Sequence, residues 1–265
     1  MKNTIAGRLG KLATLALFLS APSDGVAAEC AARSSSSRTA LVEIYTSQGC
    51  DSCPPADRWL SSLTARGEAR DRIVAMALHV DYWDRLGWRD PFGHPDHSRR
   101  QREAAKRGGS NTIYTPQVLI NGRDFRSWSH PVAAATRLGE IQASAPGANI
   151  ALASQRHAGR IDVRGTVEPA LARSGDPLDA YLVLLQSGVL TSVASGENRG
   201  RTLRNDFVAR AIHGPLTVHG SRPLAIAHSF DVAADAGAAG YSIASYVENR
   251  RTGEVLQALA LRDCT

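Results

Sequence analysis

The chain has 265 residues, 43% of them hydrophobic, and a formal net charge of +6. That is enough apolar material for two ordinary cores. The arginines are spread along the sequence with no clustered basic face and no recognition module, which argues against nucleic acid as a partner and leaves a solvated basic surface.

Residues 1–28 read as a secretory signal. Lys2, Arg8 and Lys11 make a positive start, Leu12 to Ala21 is apolar but too short to span a bilayer, and Val26-Ala27-Ala28 supplies small residues for cleavage before Glu29. No later stretch is long and apolar enough for a membrane helix, so the mature protein is expected to be periplasmic or secreted, without membrane insertion. Residues 29–37 are a Ser-rich, irregular lead-in. Leu41 to Thr46 is a strand rich in β-branched and aromatic residues, followed by Cys50-Asp51-Ser52-Cys53 and a helix from Ala56 to Arg66 with Trp59, Leu60 and Leu63 on one face. Pro54 and Pro55 suit the first helical turn. Arg72 to Val80 is a second buried strand, its continuous apolar run suited to a parallel position covered on both faces.

An irregular aromatic segment, 81–95, holds Tyr82, Trp83, Trp88 and Phe92. Ser98 to Lys106 is expected to be helical. Tyr114-Thr115-Pro116 then leads into a strand, an Asn121-Gly122 turn and a second strand, a strong hairpin signal. Val132 to Ala143 is a helix that ends at Pro146-Gly147. Beyond it the pattern turns to short alternating runs at Ile150/Leu152, Ile161/Val163, Leu224/Ile226 and Tyr241/Ile243, with apolar runs at Tyr181 to Leu185 and Val255 to Leu261. Arg204 to Ile212 could hold a short helix. The fold class expected is an α/β unit over residues 38–146 followed by an all-β, sandwich-like unit over 147–265.

Strand, loop, thiol and helix start is the order that redox chemistry on a thiol needs, because a helix N-terminus offers unpaired N–H groups to a thiolate. Four cysteines suggest two pairs in an oxidising compartment. Cys50 and Cys53 are the local pair. Cys30 and Cys264 remain, and are read either as a bridge tying the two chain ends or as free thiols on frayed ends. A Cys-x-x-Cys can also be half a metal site, and His79, His94 and His97 would complete a copper(I) or zinc set with Cys50 and Cys53.

The strand–Cys-x-x-Cys–helix order, Thr115-Pro116 before a strand and an Asn-Gly hairpin, and Glu43 in Leu41-Val42-Glu43-Ile44-Tyr45 together resemble the thioredoxin fold over 38–146. More narrowly, SQGCDSCPPAD, HVDYWDRLGW, YTPQVLING and GENRGRTL resemble the exported bacterial family of domain-of-unknown-function 1223, in which a thioredoxin-like domain precedes a β-rich one. The resemblance implies Cys50 as attacking thiol, Cys53 as resolving thiol, a cis Pro116 that presents Thr115 to an extended substrate, and Glu43 as proton relay. Tyr82, Trp83 and Trp88 are candidates for a substrate groove or for a cluster capping the sheet edge. Arg199, Arg201, Arg204 and Arg210 are candidates for packing the GENRGRTL loop against the first unit.

The function expected is an exported thiol–disulfide oxidoreductase acting on protein thiols and disulfides, together with an unidentified redox partner. No bound cofactor is expected, since the cysteine pair holds the electrons. A copper or zinc delivery protein and a non-catalytic binding module are the alternatives.

Overall fold

Residues 40–46, 73–79 and 117–120 are buried at every position. Strands of that kind need cover on both faces and a partner on each edge. In the computed structural model, which describes residue 1 and residues 30–64, 69–157, 159–173, 175–233 and 240–262, they sit inside a sheet far wider than the N-terminal half alone supplies. The expected signal segment falls on residues outside those described.

In chain order the elements are β1 (Cys30–Arg33), β2 (Ala40–Thr46), α1 (Cys53–Leu63), the short α2 (Ala69–Arg72), β3 (Ile73–His79), α3 (Pro95–Arg107), β4 (Gln117–Ile120), β5 (Arg123–Asp124) and α4 (Pro131–Gln142). There follow β6 (Ala148–His157), β7 (Arg160–Pro169), β8 (Leu178–Gln186), β9 (Val189–Ser192), β10 (Thr202–Asn205), β11 (Val208–Val218), β12 (Leu224–Asp231), β13 (Tyr241–Asn249) and β14 (Val255–Arg262). Eight strands form one sheet in the order β14-β13-β8-β11-β3-β2-β4-β5, and four form a second, β1-β6-β7-β12. β9 and β10 pair only with each other.

This overturns the expected fold class of an α/β, thioredoxin-like unit followed by a sandwich-like all-β unit. The large sheet takes β2 to β5 from the first half and β8, β11, β13 and β14 from the second. The two sets meet where β11 lies parallel to β3, with Val208 opposite Ala77 and the Ala77 N–H donating to Phe207 O at 2.8 Å. A free edge on β3 would leave a row of backbone groups unpaired against an apolar core, and β11 meets that edge. Periodicity shows that a strand is buried but not which strand lies beside it. The helix expected over Arg204 to Ile212 is also overturned: those residues belong to β10, the turn after it and β11.

Three cores follow from strand alternation. On one face of the large sheet, Leu41, Tyr45, Met76 and Leu78 continue into Val183, Leu185 and Tyr246, with α3 lying over part of them. On the other face, Val42, Ile44, Ala75 and Ala77 pack under α1 and α4. Further along that face, Leu182, Leu184, Ile243 and Leu261 meet Ile150, Val163 and Phe230 of the four-stranded sheet. The Asn121-Gly122 turn links the halves again: Asn121 Oδ1 accepts from Leu41 N and its Nδ2 donates to Val255 O. Gly122 has φ +77°, and a Cβ there would fall 1.8 Å from Gly253 O, so only glycine fits.

Candidate functional site

β2 delivers the chain to the turn at residues 47–49, and α1 begins at Cys53 with Pro54 and Pro55 in its first turn. Cys50 and Cys53 form a disulfide with Cα atoms 5.5 Å apart. The Cys50 N–H donates to Ser47 O at 3.2 Å and the Cys53 N–H to Cys50 O at 3.3 Å. Ser52 Oγ lies 3.2 Å from Cys50 Sγ. The two prolines carry no N–H, and the Asp51 N–H donates to Glu197 Oε2 at 3.0 Å. The helix start therefore offers a Cys50 thiolate fewer backbone donors than its position on the chain suggests.

Asp57 stands one helical turn after Cys53, on the same face of α1. Its Oδ2 accepts from Thr46 Oγ1 at 3.1 Å, and its Oδ1 is buried without a hydrogen-bond partner among the described residues. Burial raises its pKa to about 6, against the opposing pull of His79 and the Thr46 hydroxyl. His79 lies opposite Thr46 in the β2–β3 register and so shares the α1 side of the sheet. Its Nδ1 is 2.8 Å from Asp90 Oδ2. Burial by itself would depress the His79 pKa, but the charge and hydrogen bond of Asp90, with the charge of Asp57, leave it raised. Asp90 is pushed up by burial and pulled further down by His79 and by the N–H groups of Gln48 and Phe92, ending lowered. A carboxyl whose pKa is raised to about 6 thus adjoins a buried imidazole–carboxylate pair, on the helix that begins at the disulfide. The sequence reading missed Asp57. Its spacing of four from Cys53 was the available signal.

The sequence-predicted residues divide. Trp83 Nε1 donates to Thr115 Oγ1 at 2.8 Å, and a Cβ on Gly49 would sit 3.5 Å from Trp83 Cβ. One indole therefore joins the disulfide loop to Thr115-Pro116, whose peptide bond is cis. Trp88 Nε1 donates to Gln48 Oε1 at 3.2 Å, while Tyr82 turns away to Gln101 Oε1 at 3.1 Å. Glu43 is not at the site. As an odd-numbered residue of β2 it shares the α3 side with Leu41 and Tyr45, where Arg100 Nε donates to its Oε1 at 3.0 Å. The histidines do not converge on sulfur. His97 Nδ1 bonds the His79 backbone O at 2.8 Å, and burial lowers its pKa to about 4. His94 is exposed and caps α3. Among the described residues no group of three or more histidine, cysteine or acidic side chains is arranged to hold a metal. Cys30 is buried in β1 with its Sγ 3.3 Å from Arg262 O, and Cys264 lies outside the described residues.

Cys50 and Cys53 are both 0% exposed. A segment from the second half covers their loop. Asn198, itself buried, donates from Nδ2 to Gln48 O at 2.9 Å and to Cys50 O at 2.8 Å. Arg201 holds the Asn198 Oδ1 at 2.8 Å. Within GENRGRTL it is Glu197 and Asn198, rather than the arginines, that touch the disulfide loop. Arg204 instead pairs with Asp206, and Arg210 lies over the Phe92 ring. A short polar run of this kind carries no periodic signal, so nothing in its sequence distinguished these two residues from a solvated loop.

Among solved structures, the chain is similar to protein AGR_C_4864 of Agrobacterium tumefaciens, with 22% identity, a TM-score of 0.60, and coverage of 86% of this chain and 96% of that one. It is also similar to HBP35 of Porphyromonas gingivalis, with 12% identity, a TM-score of 0.66, and coverage of 86% and 76%. At such identities the likeness speaks for the fold alone. No curated protein matches. Residues 41–247, from the strand before the disulfide into β13, match the family described as protein of unknown function (DUF1223), and the chain belongs to that family.

Proposed function

We propose that this protein is an exported thiol–disulfide oxidoreductase that exchanges disulfides with protein thiols through Cys50 and Cys53. One observation carries the reading: the second cysteine of a helix-start disulfide has, one turn along, a half-buried aspartate whose Oδ1 is enclosed without a partner and whose pKa is raised to about 6. A structural disulfide has no use for such a group, whose burial costs stability. Exchange has a use for it. When a substrate thiolate attacks Cys50 Sγ, the Cys50–Cys53 bond breaks and the electron pair leaves on Cys53 Sγ. Asp57 holds the proton that neutralises that thiolate, and takes it back when Cys53 attacks the mixed disulfide in the reverse direction. The cysteine pair carries both electrons, so the cycle requires no bound cofactor.

His79 and Asp90 set the proton's position in this scheme. The imidazole, when protonated, keeps the Asp57 pKa from rising further, and Asp90 favours that protonated form. Trp83, packed beside Gly49 and bonded to Thr115, is the surface against which a substrate segment would lie. The paucity of backbone donors at the helix start disfavours a Cys50 thiolate, which supports a reductant over a strong oxidant. The direct test is dithiothreitol-driven reduction of insulin disulfides by the purified protein. Turnover is expected for wild type and none for Cys50→Ser; equal rates for the two would sink the proposal.

A further inference from the structure

The β9–β10 hairpin belongs to neither large sheet. A two-stranded hairpin alone is marginal in water, so what holds this one is what it touches. At its base, Gln48 Nε2 donates to Thr191 Oγ1 at 3.0 Å and to Asn205 Oδ1 at 3.2 Å. At its tip, Ser195 Oγ donates to Gly87 O, Glu197 accepts from Asp51 N, and Asn198 reaches the carbonyls of Gln48 and Cys50. Gly196 has φ +75°, and a Cβ there would come within 3.0 Å of Trp88 Cβ. These contacts are polar and local, and nearly all of them end on the turn that carries the disulfide or on the aromatic segment beside it. Val193 is the one buried apolar side chain of the tip.

We infer that this hairpin is a strap that closes the Cys50–Cys53 disulfide to thiols, with Asn198 and Glu197 as its latch. The inference rests on the thiol-exchange reading, because only a pair that reacts needs a closure. Both cysteines are 0% exposed, so no incoming sulfur can line up with the S–S bond in the closed state. Opening breaks two hydrogen bonds from Asn198, one to Glu197 and one from Ser195, and uncovers Val193 as the one buried apolar side chain of the tip. Such a segment sits at the low end of local stability and opens without disturbing either sheet. The latch binds backbone groups of the disulfide loop, the same kind of contact an extended polypeptide makes. A polypeptide substrate can therefore replace the strap, whereas a small thiol must wait for it to lift. Asn198 and Glu197 are thus positioning residues that set which thiols reach Cys50.

The experiment follows the reduction of the oxidised full chain by dithiothreitol, with the observed rate measured against thiol concentration. In each event one thiolate of the dithiol attacks Cys50, Cys53 leaves with its proton, and the second thiolate frees Cys50 as the dithiol closes to its cyclic disulfide. A strap that must open first makes the wild-type rate level off at high thiol. Asn198→Ala, which removes two hydrogen bonds to the loop, is expected to raise that plateau about tenfold. Glu197→Gln, on an exposed side chain, should raise it about threefold and serves if the first variant does not fold. A strictly linear dependence for wild type, or plateaus unchanged in both variants, overturns the strap. Insulin turnover separates the two claims. Turnover with linear, latch-independent kinetics leaves the oxidoreductase and removes the strap. Latch-dependent reduction by dithiothreitol with no turnover in any variant leaves the strap and removes the oxidoreductase.

Discussion

Two buried charge clusters hang from the same pair of strands, β2 and β3, on opposite faces of the sheet. On the α3 side, Arg100 lies between Glu43 and Glu248, 3.0 and 3.1 Å away, over the stacked rings of Tyr181 and Tyr246. On the α1 side, Asp57 has Thr46 on one oxygen and nothing on the other, and among the described residues it forms no ion pair. Each carboxyl has one enclosed oxygen without a hydrogen-bond partner, Glu43 Oε2 and Asp57 Oδ1; Glu43 is buried, Asp57 half-buried, and burial raises the Asp57 pKa to about 6. A guanidinium touches Glu43, whereas Asp57 meets its imidazole neighbour, His79, without a direct bond. The counter-ion is what separates the two carboxyls: Glu43 has one in contact and Asp57 has none among the described residues.

The largest break in this comparison should come from Arg100→Met. It leaves Glu43 buried without its cation and Glu248 with only Arg107, 3.7 Å away, and is expected to cost roughly 3–5 kcal/mol in urea unfolding. Insulin turnover by the folded fraction should persist. If turnover vanishes while stability holds, the α3-side cluster is chemical and the contrast is wrong.

Asp57→Asn tests the other side. The folded pKa of about 6 lies above the ordinary value of 3.8. Between them the folded chain holds a proton that the unfolded chain has released, so stability falls as pH rises through that window. Above it the full penalty is roughly 3 kcal/mol, at about 1.4 kcal/mol per unit. The asparagine variant should therefore be more stable than wild type at pH 8, equal to it near pH 3, and slower in turnover by about tenfold or more. A variant both less stable at pH 8 and fully active would make Asp57 an ordinary structural carboxyl.

A finer test is His79→Asn. His79 lowers the Asp57 pKa, so its removal should move the Asp57-dependent limb of the pH–turnover profile upward, and an unmoved limb would uncouple the two groups. The smallest effect is expected from Glu197→Gln in the reduced protein. Removing a negative charge beside the Asp51 N–H should let Cys50 react with iodoacetamide at a slightly lower pH, and no change would show that the strap is open when the pair is reduced.

Much of the local structure was legible. β2, β3, β4, α1, α3 and α4 stand within a few residues of their expected ranges, because apolar spacing, prolines at helix starts and the Asn121-Gly122 turn are local signals. Cys50-x-x-Cys53 and the Thr115-Pro116 step were found for the same reason. Glu43 was misplaced because a resemblance in strand sequence does not say which face the loop ahead will use, and alternation puts residues 43 and 46 on opposite sides. Asp57 passed unnoticed because a carboxyl in a helix reads as solvent-facing until something covers it.

The sequence by itself therefore determined the thiol pair, the helix that begins on it and the strand that leads to it. These depend on residues within a few positions of one another. Only the tertiary structure decided that β11 extends β3, that His79 and Asp90 lie beside Asp57, and that Glu197 and Asn198 cover Cys50. Those contacts join residues from 11 to 150 positions apart. Backbone edges must be paired and buried carboxyls must be answered, but one sequence does not say which distant segment supplies the answer. The disulfide's residues were readable in the chain; its cover and the surroundings of Asp57 were settled by the fold.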